Sequence, residues 1–178
     1  MVSQDFASPA PSPAASPIRP PAPLDEAAVQ ESLRPFGSSR MLPRAAYVGA
    51  DVFAWEQQHF FGGGWMCVGR GSQTAAAGDM RAEPVGEGSV LIVRGDDGAL
   101  RAFQNVCRHR GNSLCTGSGS DLHELRCGYH GWTWDLCGAL KRIPNRKGFG
   151  AIRMSELPLL AVRVDTWERL VFVNLDAD

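Results

Sequence analysis

The sequence predicts a mainly β domain, a small β-sandwich or barrel, that follows a short helical segment and a disordered N-terminal tail. Three observations lead to this prediction. Short apolar runs rich in β-branched and aromatic residues recur along the second half of the chain, turn-forming residues separate them, and the first residues have low complexity. With 178 residues, the chain is long enough for one such domain with appendages.

The N-terminal third divides into a tail and a helical segment. Residues 1–23 are almost entirely Ala, Pro and Ser and cannot bury enough apolar surface to offset chain entropy, so we expect them to be disordered. Residues 24–64 predict helices, one near 24–33 and one in which Val52, Phe53, Glu56, His59 and Phe60 recur at helical spacing. Asp51 opens the second helix, and the glycines at 62–64 end it.

Residues 65–178 predict the β domain. Gly95-Asp96-Asp97-Gly98 separates two strand-like runs and predicts a hairpin, and Cys137-Gly138 predicts a second turn. The predicted strands are 65–68, 89–94, 99–105, 125–127, 132–136, 139–143, 159–164 and 170–174.

Two short boxes carry the chemistry. Cys107-x-His109 and Cys127-x-x-His130 are separated by residues 110–126 and supply two thiolates and two imidazoles. Two Cys and two His are the ligands of a Rieske [2Fe–2S] centre, in which two imidazoles replace two thiolates on one iron. They are also a structural zinc set. Zinc fingers usually pair Cys-x-x-Cys with a later His pair, whereas each box here mixes one Cys and one His, which favours the cluster.

The residues around the boxes resemble a known family. Asn105-Val106-Cys107-Arg108-His109-Arg110-Gly111 and Arg126-Cys127-Gly128-Tyr129-His130-Gly131-Trp132-Thr133-Trp134-Asp135 resemble the Rieske domain of the α subunits of Rieske non-haem iron oxygenases, the aromatic-ring-hydroxylating dioxygenase type. The resemblance runs from about Leu42 to the C-terminus. It implies an all-β domain with two cluster-binding loops at one tip. It also implies that Cys107 and Cys127 hold the inner iron and that His109 and His130 hold the outer iron.

The boxes differ from those of respiratory Rieske proteins. Those proteins add a disulfide-forming Cys to each loop, where this chain has Asn112 and Tyr129. They also place Ser and Tyr after the second His, where this chain has Trp132 and Trp134. Fewer hydrogen bonds to sulfur stabilise the reduced cluster less, so we expect a potential near the bottom of the Rieske range, ~−150 mV.

The resemblance implies an oxidoreductase component. Such a domain takes electrons from a reductase or ferredoxin and passes them to a mononuclear non-haem Fe(II) that activates O₂ to hydroxylate or demethylate an organic substrate. That iron lies in a catalytic domain or a neighbouring α subunit, and full-length relatives are homotrimers. The run from Cys107 to Cys115 is most like α subunits that act on quaternary ammonium compounds such as glycine betaine, and ring-hydroxylating dioxygenases have a similar run.

The second iron site is not apparent in this sequence. Only His59 and His123 remain outside the boxes, far apart and without a nearby Asp-His-His set. We therefore expect the catalytic domain to be absent, the chain to have no catalytic residue of its own, and the chain alone to insert no oxygen. A stand-alone Rieske ferredoxin-like carrier is the alternative, against which the helical segment from Leu42 to Trp65 argues. A third possibility is a cluster-free or zinc-stabilised remnant.

Composition excludes other classes. The net charge of −1 gives no support to nucleic-acid binding, no apolar run is long enough for a bilayer, and the start lacks the pattern of a signal peptide. Five cysteines, an odd number, indicate a cytoplasmic protein without structural disulfides. We expect Cys67 to be buried in its strand and Cys115 to serve packing. Basic residues near the boxes indicate either a solvated charged face, which is the default interpretation, or a docking surface for an acidic redox partner: Arg108, Arg110, Lys141, Arg142, Arg146 and Lys147.

Overall fold

The computed structural model describes residues 19–176. Within this range three short α-helices precede ten β-strands, all paired antiparallel, which confirms the predicted mainly β class. Residues 1–18 of the tail that we predicted to be disordered lie outside the described residues. No helix in the described part of the chain is long and apolar enough to cross a membrane.

Both predicted helices are present, with a short one between them. Helix α1 is Glu26–Ser32, and the Asp25 carboxylate caps it by accepting a bond from the Ala28 N–H at 2.8 Å. Helix α2 is Ala45–Val48, and α3 is Ala50–Glu56, which continues as a π-helical turn, Gln57–Phe61. The turn ends at Gly62, as the glycine run predicts.

Seven strands form one curled sheet and three form a smaller one. The strands are β1 (Trp65–Arg70), β2 (Met80–Val85), β3 (Gly88–Arg94), β4 (Leu100–Gln104), β5 (Ser118–Gly119), β6 (Leu125–Arg126), β7 (Thr133–Trp134), β8 (Leu140–Arg142), β9 (Ala161–Trp167) and β10 (Leu170–Asn174). The order in the large sheet is β1-β10-β9-β4-β3-β2-β5, and in the small sheet it is β6-β7-β8. Single 3₁₀ turns lie at Gly71–Thr74, Arg146–Phe149 and Met154–Glu156.

Three details differ from the sequence predictions. Strand β5 was missed, because it consists of only Ser118–Gly119 and forms through pairing with β2. Strand β2 was missed, because Arg81, Glu83 and Pro84 interrupt its apolar pattern; it forms through pairing with β3, from Met80 opposite Val93 onward. The prediction that Cys67 is buried was wrong: its residue is exposed. Strand β1 is an edge strand, and alternate residues of such a strand point away from the core.

The interior consists of two apolar clusters that share β3. Leu91 and Val93 pack into one, and Val90 and Ile92 into the other, so both faces of this strand are buried. The first cluster also contains the two box cysteines and the box tryptophans, Cys107, Cys127, Trp132 and Trp134. The boxes are therefore part of the core of the domain and not an attachment to its surface.

The predicted β3–β4 hairpin is fastened by one ion pair. Asp97 Oδ2 accepts a bond from Arg101 Nη2 at 2.7 Å, and Asp97 Oδ1 accepts from Arg101 Nη1 at 2.8 Å and from the Ala99 N–H at 3.1 Å. The guanidinium of Arg101, followed by the Ala99 N–H, holds the pKa of Asp97 well below its ordinary value. Both side chains are accessible to solvent, so the contribution to stability is modest.

We expect Asp97→Asn to lower the melting temperature slightly at neutral pH and to lose this effect in acid. A carboxylate with a depressed folded-state pKa stabilises the fold above its unfolded pKa, about 3.9, and this stability disappears as pH falls through the folded value. Thermal unfolding of the variant and the parent from neutral to strongly acidic pH measures the difference. Asp96→Asn, which changes the neighbouring exposed carboxylate, is the control. A deficit that stays constant with pH would contradict this account.

Candidate metal centre

The first loop of the tip is a turn closed by the backbone of Cys107. Its carbonyl accepts a bond from the N–H of Gly111 at 2.9 Å, and its own N–H donates to the carbonyl of Asn112 at 2.8 Å. Gly111 has a φ of 71°, a conformation that L-amino acids with a side chain rarely adopt. The turn therefore holds the cysteine at its base and carries His109 on its outer part.

The second loop, between β6 and β7, repeats this turn. The Cys127 carbonyl accepts from the Gly131 N–H at 3.0 Å, and the Cys127 N–H donates to the Trp132 carbonyl at 2.9 Å. Gly131 has a φ of 70°, almost the same as its counterpart in the first loop. His130 sits one position later in this turn than the histidine of the first loop. The two loops are thus matched supports for one thiol and one imidazole each.

The four side chains are arranged in two layers. Cys107 and Cys127 are 2% and 1% exposed and lie within hydrogen-bonding reach of each other. The rings of His109 and His130 have centroids 4.7 Å apart, with His109 partly buried and His130 exposed. The structure therefore brings the four predicted residues together as two pairs, a buried thiol pair and an imidazole pair that is more accessible to solvent.

Aromatic rings surround the imidazole pair. Trp132 is stacked on His109, with centroids 4.8 Å apart and planes 6° from parallel. Phe149, from the turn after β8, meets the same imidazole edge-on at 5.6 Å, and Tyr129 lies 3.8 Å from the ring of His130. The histidines and this turn border an open cavity of about 360 Å³. The rings fix the orientation of His109 and leave one side of the pair accessible.

The environment affects the protonation of these groups. Burial, with the adjacent Cys127, raises the pKa of the Cys107 thiol, while the N–H groups of His109 and Arg110 donate to its sulfur and oppose that rise. Burial, and then the neighbouring His130 and Arg110, lower the pKa of His109. Neutral imidazole is the form that binds metal, whereas the paired thiols need a cation beside them to ionise.

One buried atom points to a missing bond. Nδ1 of His109 is inaccessible to solvent and has no hydrogen-bond partner, although buried ring nitrogens are almost always paired. Within residues 19–176, no three His, Cys, Asp or Glu side chains converge on one point as ligands of a single ion. A Rieske [2Fe–2S] cluster takes two protein ligands on each iron, so its ligand set divides into one thiolate pair and one imidazole pair. The two pairs fit the cluster.

The other cysteines and histidines lie apart from this group. His59 packs beside Trp55 with ring centroids 5.0 Å apart, and His123 is an exposed loop residue. Cys115 is partly buried, and burial raises the pKa of its thiol to about 11, which agrees with the predicted packing role. Cys137 is exposed in its turn.

A β domain that presents two thiols and two imidazoles from a pair of matched loops has the architecture of a Rieske-type iron–sulfur domain. The family model described as "Rieske [2Fe-2S] domain" matches residues 64–165, and the chain belongs to this family. The cofactor of the family is a [2Fe–2S] cluster, as the boxes predict.

Relatives of the chain are oxygenase α subunits. It is 35% identical over 142 residues to the biphenyl 2,3-dioxygenase subunit alpha of Rhodococcus jostii, covering 79% of this chain and 31% of the relative. It is 34% identical over 134 residues to the carnitine monooxygenase oxygenase subunit of Acinetobacter pittii, covering 75% and 36%. The chain therefore spans about a third of the length of these relatives.

Solved structures give the same result. A crystal structure of the quaternary ammonium Rieske monooxygenase CntA with L-carnitine superposes with a TM-score of 0.71 at 34% identity, covering 76% of this chain and 39% of that one. Naphthalene 1,2-dioxygenase from Rhodococcus sp. bound to indole superposes with a TM-score of 0.75 at 28% identity, covering 84% and 35%. The resemblance to Rieske oxygenase α subunits is confirmed over the Rieske region.

Sequence reasoning missed several residues of the tip. Phe149 and Pro144 were not singled out, because they reach the site from a separate turn whose position depends on the tertiary fold. Gly111 and Gly131 were quoted only as part of the boxes. Their shared position, four residues after each cysteine, was a signal that could have revealed the matched turns.

We expect Gly111→Ala to destabilise the domain by about 1–2 kcal/mol, because a Cβ strains a residue with this positive φ even where space is free. No atom would lie within 4 Å of that Cβ, so backbone strain alone is tested. Gly128→Ala is the matched control: it lies in the second loop, is equally uncrowded and does not have a positive φ. Chemical unfolding of both variants and the parent gives the comparison. Equal stabilities of the two variants would show that the turns are not constrained as described.

Proposed function

We propose that this domain holds a Rieske [2Fe–2S] cluster through Cys107 and Cys127 on the inner iron and His109 and His130 on the outer iron. The observation that carries the proposal is the layered arrangement of these four side chains on two matched turns. The unpartnered Nδ1 of His109 supports it, because an iron at that position would supply the missing bond. The buried thiol pair supports it as well, because thiolates so close together require cationic charge between them.

We further propose that the domain serves an oxygenase as a one-electron carrier. A bound cluster would supply one-electron redox chemistry, with which the domain could accept an electron from a reductase or ferredoxin and pass it to a mononuclear non-haem iron. The residues of this chain keep water from the inner thiols, hold the imidazoles at the surface, and leave the side of His130 open for contact with a partner. The family membership and the relatives named above support this role.

The whole protein would then use the electrons to activate O₂ for hydroxylation or demethylation of an organic substrate. Relatives named for carnitine and for the aromatic compounds biphenyl and chlorobenzene are 34–35% identical to this chain, so either substrate class fits. We place residues 65–178 as the Rieske domain and 24–64 as a helical segment in front of it. All five cysteines lie in the described part of the chain and are free there, which supports a reducing, cytoplasmic setting.

A basic rim around the imidazole pair supports docking of an acidic electron donor. The tip segments 105–115, 126–132 and 140–153 contain eight Arg or Lys residues and no Asp or Glu, although the chain as a whole has a net charge of −1. Three of the eight pair with carboxylates outside these segments: Lys141 with Asp135, Arg142 with Glu124, and Arg153 with Glu156. The others leave a net positive field beside the exposed histidine, and such a field speeds association with an acidic protein.

The ligand assignment predicts a sharp difference between two cysteine variants. Cys127→Ser removes a buried ligand, so the purified protein should lack visible absorption and the electron paramagnetic resonance of a reduced cluster. It should also unfold at a lower temperature, since metal binding and folding are coupled. Cys137→Ser changes an exposed thiol in a turn and should leave both properties unchanged. A coloured Cys127→Ser protein with parental resonance would contradict the assignment.

The docking proposal predicts a salt-dependent reaction. Reduction of the oxidised domain by a chemically reduced acidic [2Fe–2S] ferredoxin should slow as ionic strength rises, because salt screens the attraction. The double variant Arg146→Glu with Lys147→Glu reverses two rim charges and should react roughly tenfold more slowly, or slower still, at low salt. At high salt its rate should approach that of the parent. Arg169→Glu, an exposed residue of the β9–β10 turn outside the three tip segments, is the control. Stopped-flow rates that are equal for all three proteins would exclude the rim as the docking surface.

A further inference from the structure

Asn105 is a buried polar residue immediately before the first loop. It follows β4, lies two residues before Cys107 and is 5% exposed. An amide at such depth must have hydrogen-bond partners, because burying it unpaired costs on the order of 1–3 kcal/mol. The hydrogen-bond partners of Asn105 show which part of the chain its side chain holds in place.

All four hydrogen-bonding positions of this amide are used, and three of them are directed at the far end of the loop. Oδ1 accepts from the N–H groups of Leu114 and Cys115, both at 3.0 Å. Nδ2 donates to the carbonyl of Cys115 at 2.8 Å and to Oγ of Ser89 at 3.1 Å. Two donors and two acceptor positions are the full capacity of an asparagine amide, so the network has no free member.

These bonds join the beginning and the end of the loop that carries Cys107 and His109. The Asn105 N–H also donates to the Ser89 carbonyl at 2.9 Å, which fixes the start of the loop to the residue just before the buried part of β3. Leu114, at the other end, is itself 3% exposed and packs in the core. The distance between the two ends of the first loop is therefore fixed, and only the turn of the loop, which Gly111 closes, projects to the tip.

We propose that Asn105 is a positioning residue for the cluster: its side-chain amide sets the span of the first loop and, through it, the placement of the Cys107 thiol and the His109 imidazole opposite the second loop. This inference rests on the proposed function, because it assigns the amide a role in the properties of the bound cluster. No other side chain of similar size offers two donors and two acceptors, so substitution by Ser or Ala breaks the network. Residues that orient metal ligands typically contribute about 10- to 100-fold to metal affinity.

The first loop contains its own control. Asn112 is also an asparagine, but it is exposed, and its Nδ2 donates only to the carbonyl of the next residue, Ser113, at 2.8 Å. Asn112→Ala removes a side-chain amide from the same loop and leaves the hydrogen bonds between the two ends of the loop unchanged. Ser89→Ala removes one of the four bonds of Asn105 and keeps the amide itself, so it tests the network with little risk to folding.

The experiment compares the parent, Asn105→Ala, Ser89→Ala and Asn112→Ala, each purified with its cluster. Loss of the visible absorption under an iron chelator gives the rate of cluster loss, and electron paramagnetic resonance and the midpoint potential report the geometry at the irons. We expect Asn105→Ala to lose its cluster about tenfold faster or more and to show shifted g-values and potential. Ser89→Ala should shift in the same direction by less, and Asn112→Ala should match the parent.

Two results would overturn the inference alone. One is an Asn105→Ala protein that melts at a lower temperature but keeps the parental g-values, potential and rate of cluster loss, because its role would then be merely structural. The other, decisive if Asn105→Ala does not fold, is a Ser89→Ala protein indistinguishable from Asn112→Ala in all three properties. A parent that holds no iron–sulfur cluster would overturn the proposed function and this inference with it.

Discussion

The burial of two thiols side by side is the constraint on which the rest of the tip depends. Cys107 and Cys127 are almost wholly removed from solvent and adjacent to each other, and burial disfavours the thiolate form that both need to bind metal. Two interactions favour the thiolate form. Backbone N–H groups of the first loop donate to the Cys107 sulfur, and iron would supply the opposing charge.

The core and the site are one structure for the same reason. Both cysteines and both box tryptophans belong to the apolar cluster that packs against β3. Trp134 is fully buried and donates from Nε1 to the Leu157 carbonyl at 3.0 Å, which ties the small sheet to the chain that leads into β9. A change at either cysteine therefore alters the packing of the domain, and that packing in turn holds the two loops in place.

Most of the fold could be predicted from the sequence where the pattern is local. The β3–β4 hairpin follows from Gly95-Asp96-Asp97-Gly98, and the end of the helical segment follows from its glycine run. Strand β2 could not be predicted, because its residues become a strand through pairing with β3 and because a buried Arg81 contradicts the expected pattern. The exposure of Cys67 depends on the position of β1 at a sheet edge, and no local pattern reveals which strand is an edge.

The candidate site also has parts that the sequence predicts and parts that depend on the tertiary fold. The spacing of Cys and His within each box predicts four residues as ligands, because thiolate and imidazole are recognised as metal ligands from residue type alone. The pairing of these side chains in space, the contact of Phe149 with His109 and the hydrogen bonds of Asn105 could not be predicted. Each of them joins residues from separate segments, so each depends on the tertiary fold.

The most direct test of the central claim is pulsed electron paramagnetic resonance of the dithionite-reduced domain grown with ¹⁵N-labelled histidine. The account predicts hyperfine coupling to the nitrogens of two imidazoles, which disappears in part when either His109 or His130 is replaced. A reduced cluster without histidine coupling, or a purified protein that contains zinc and gives no resonance, would contradict it.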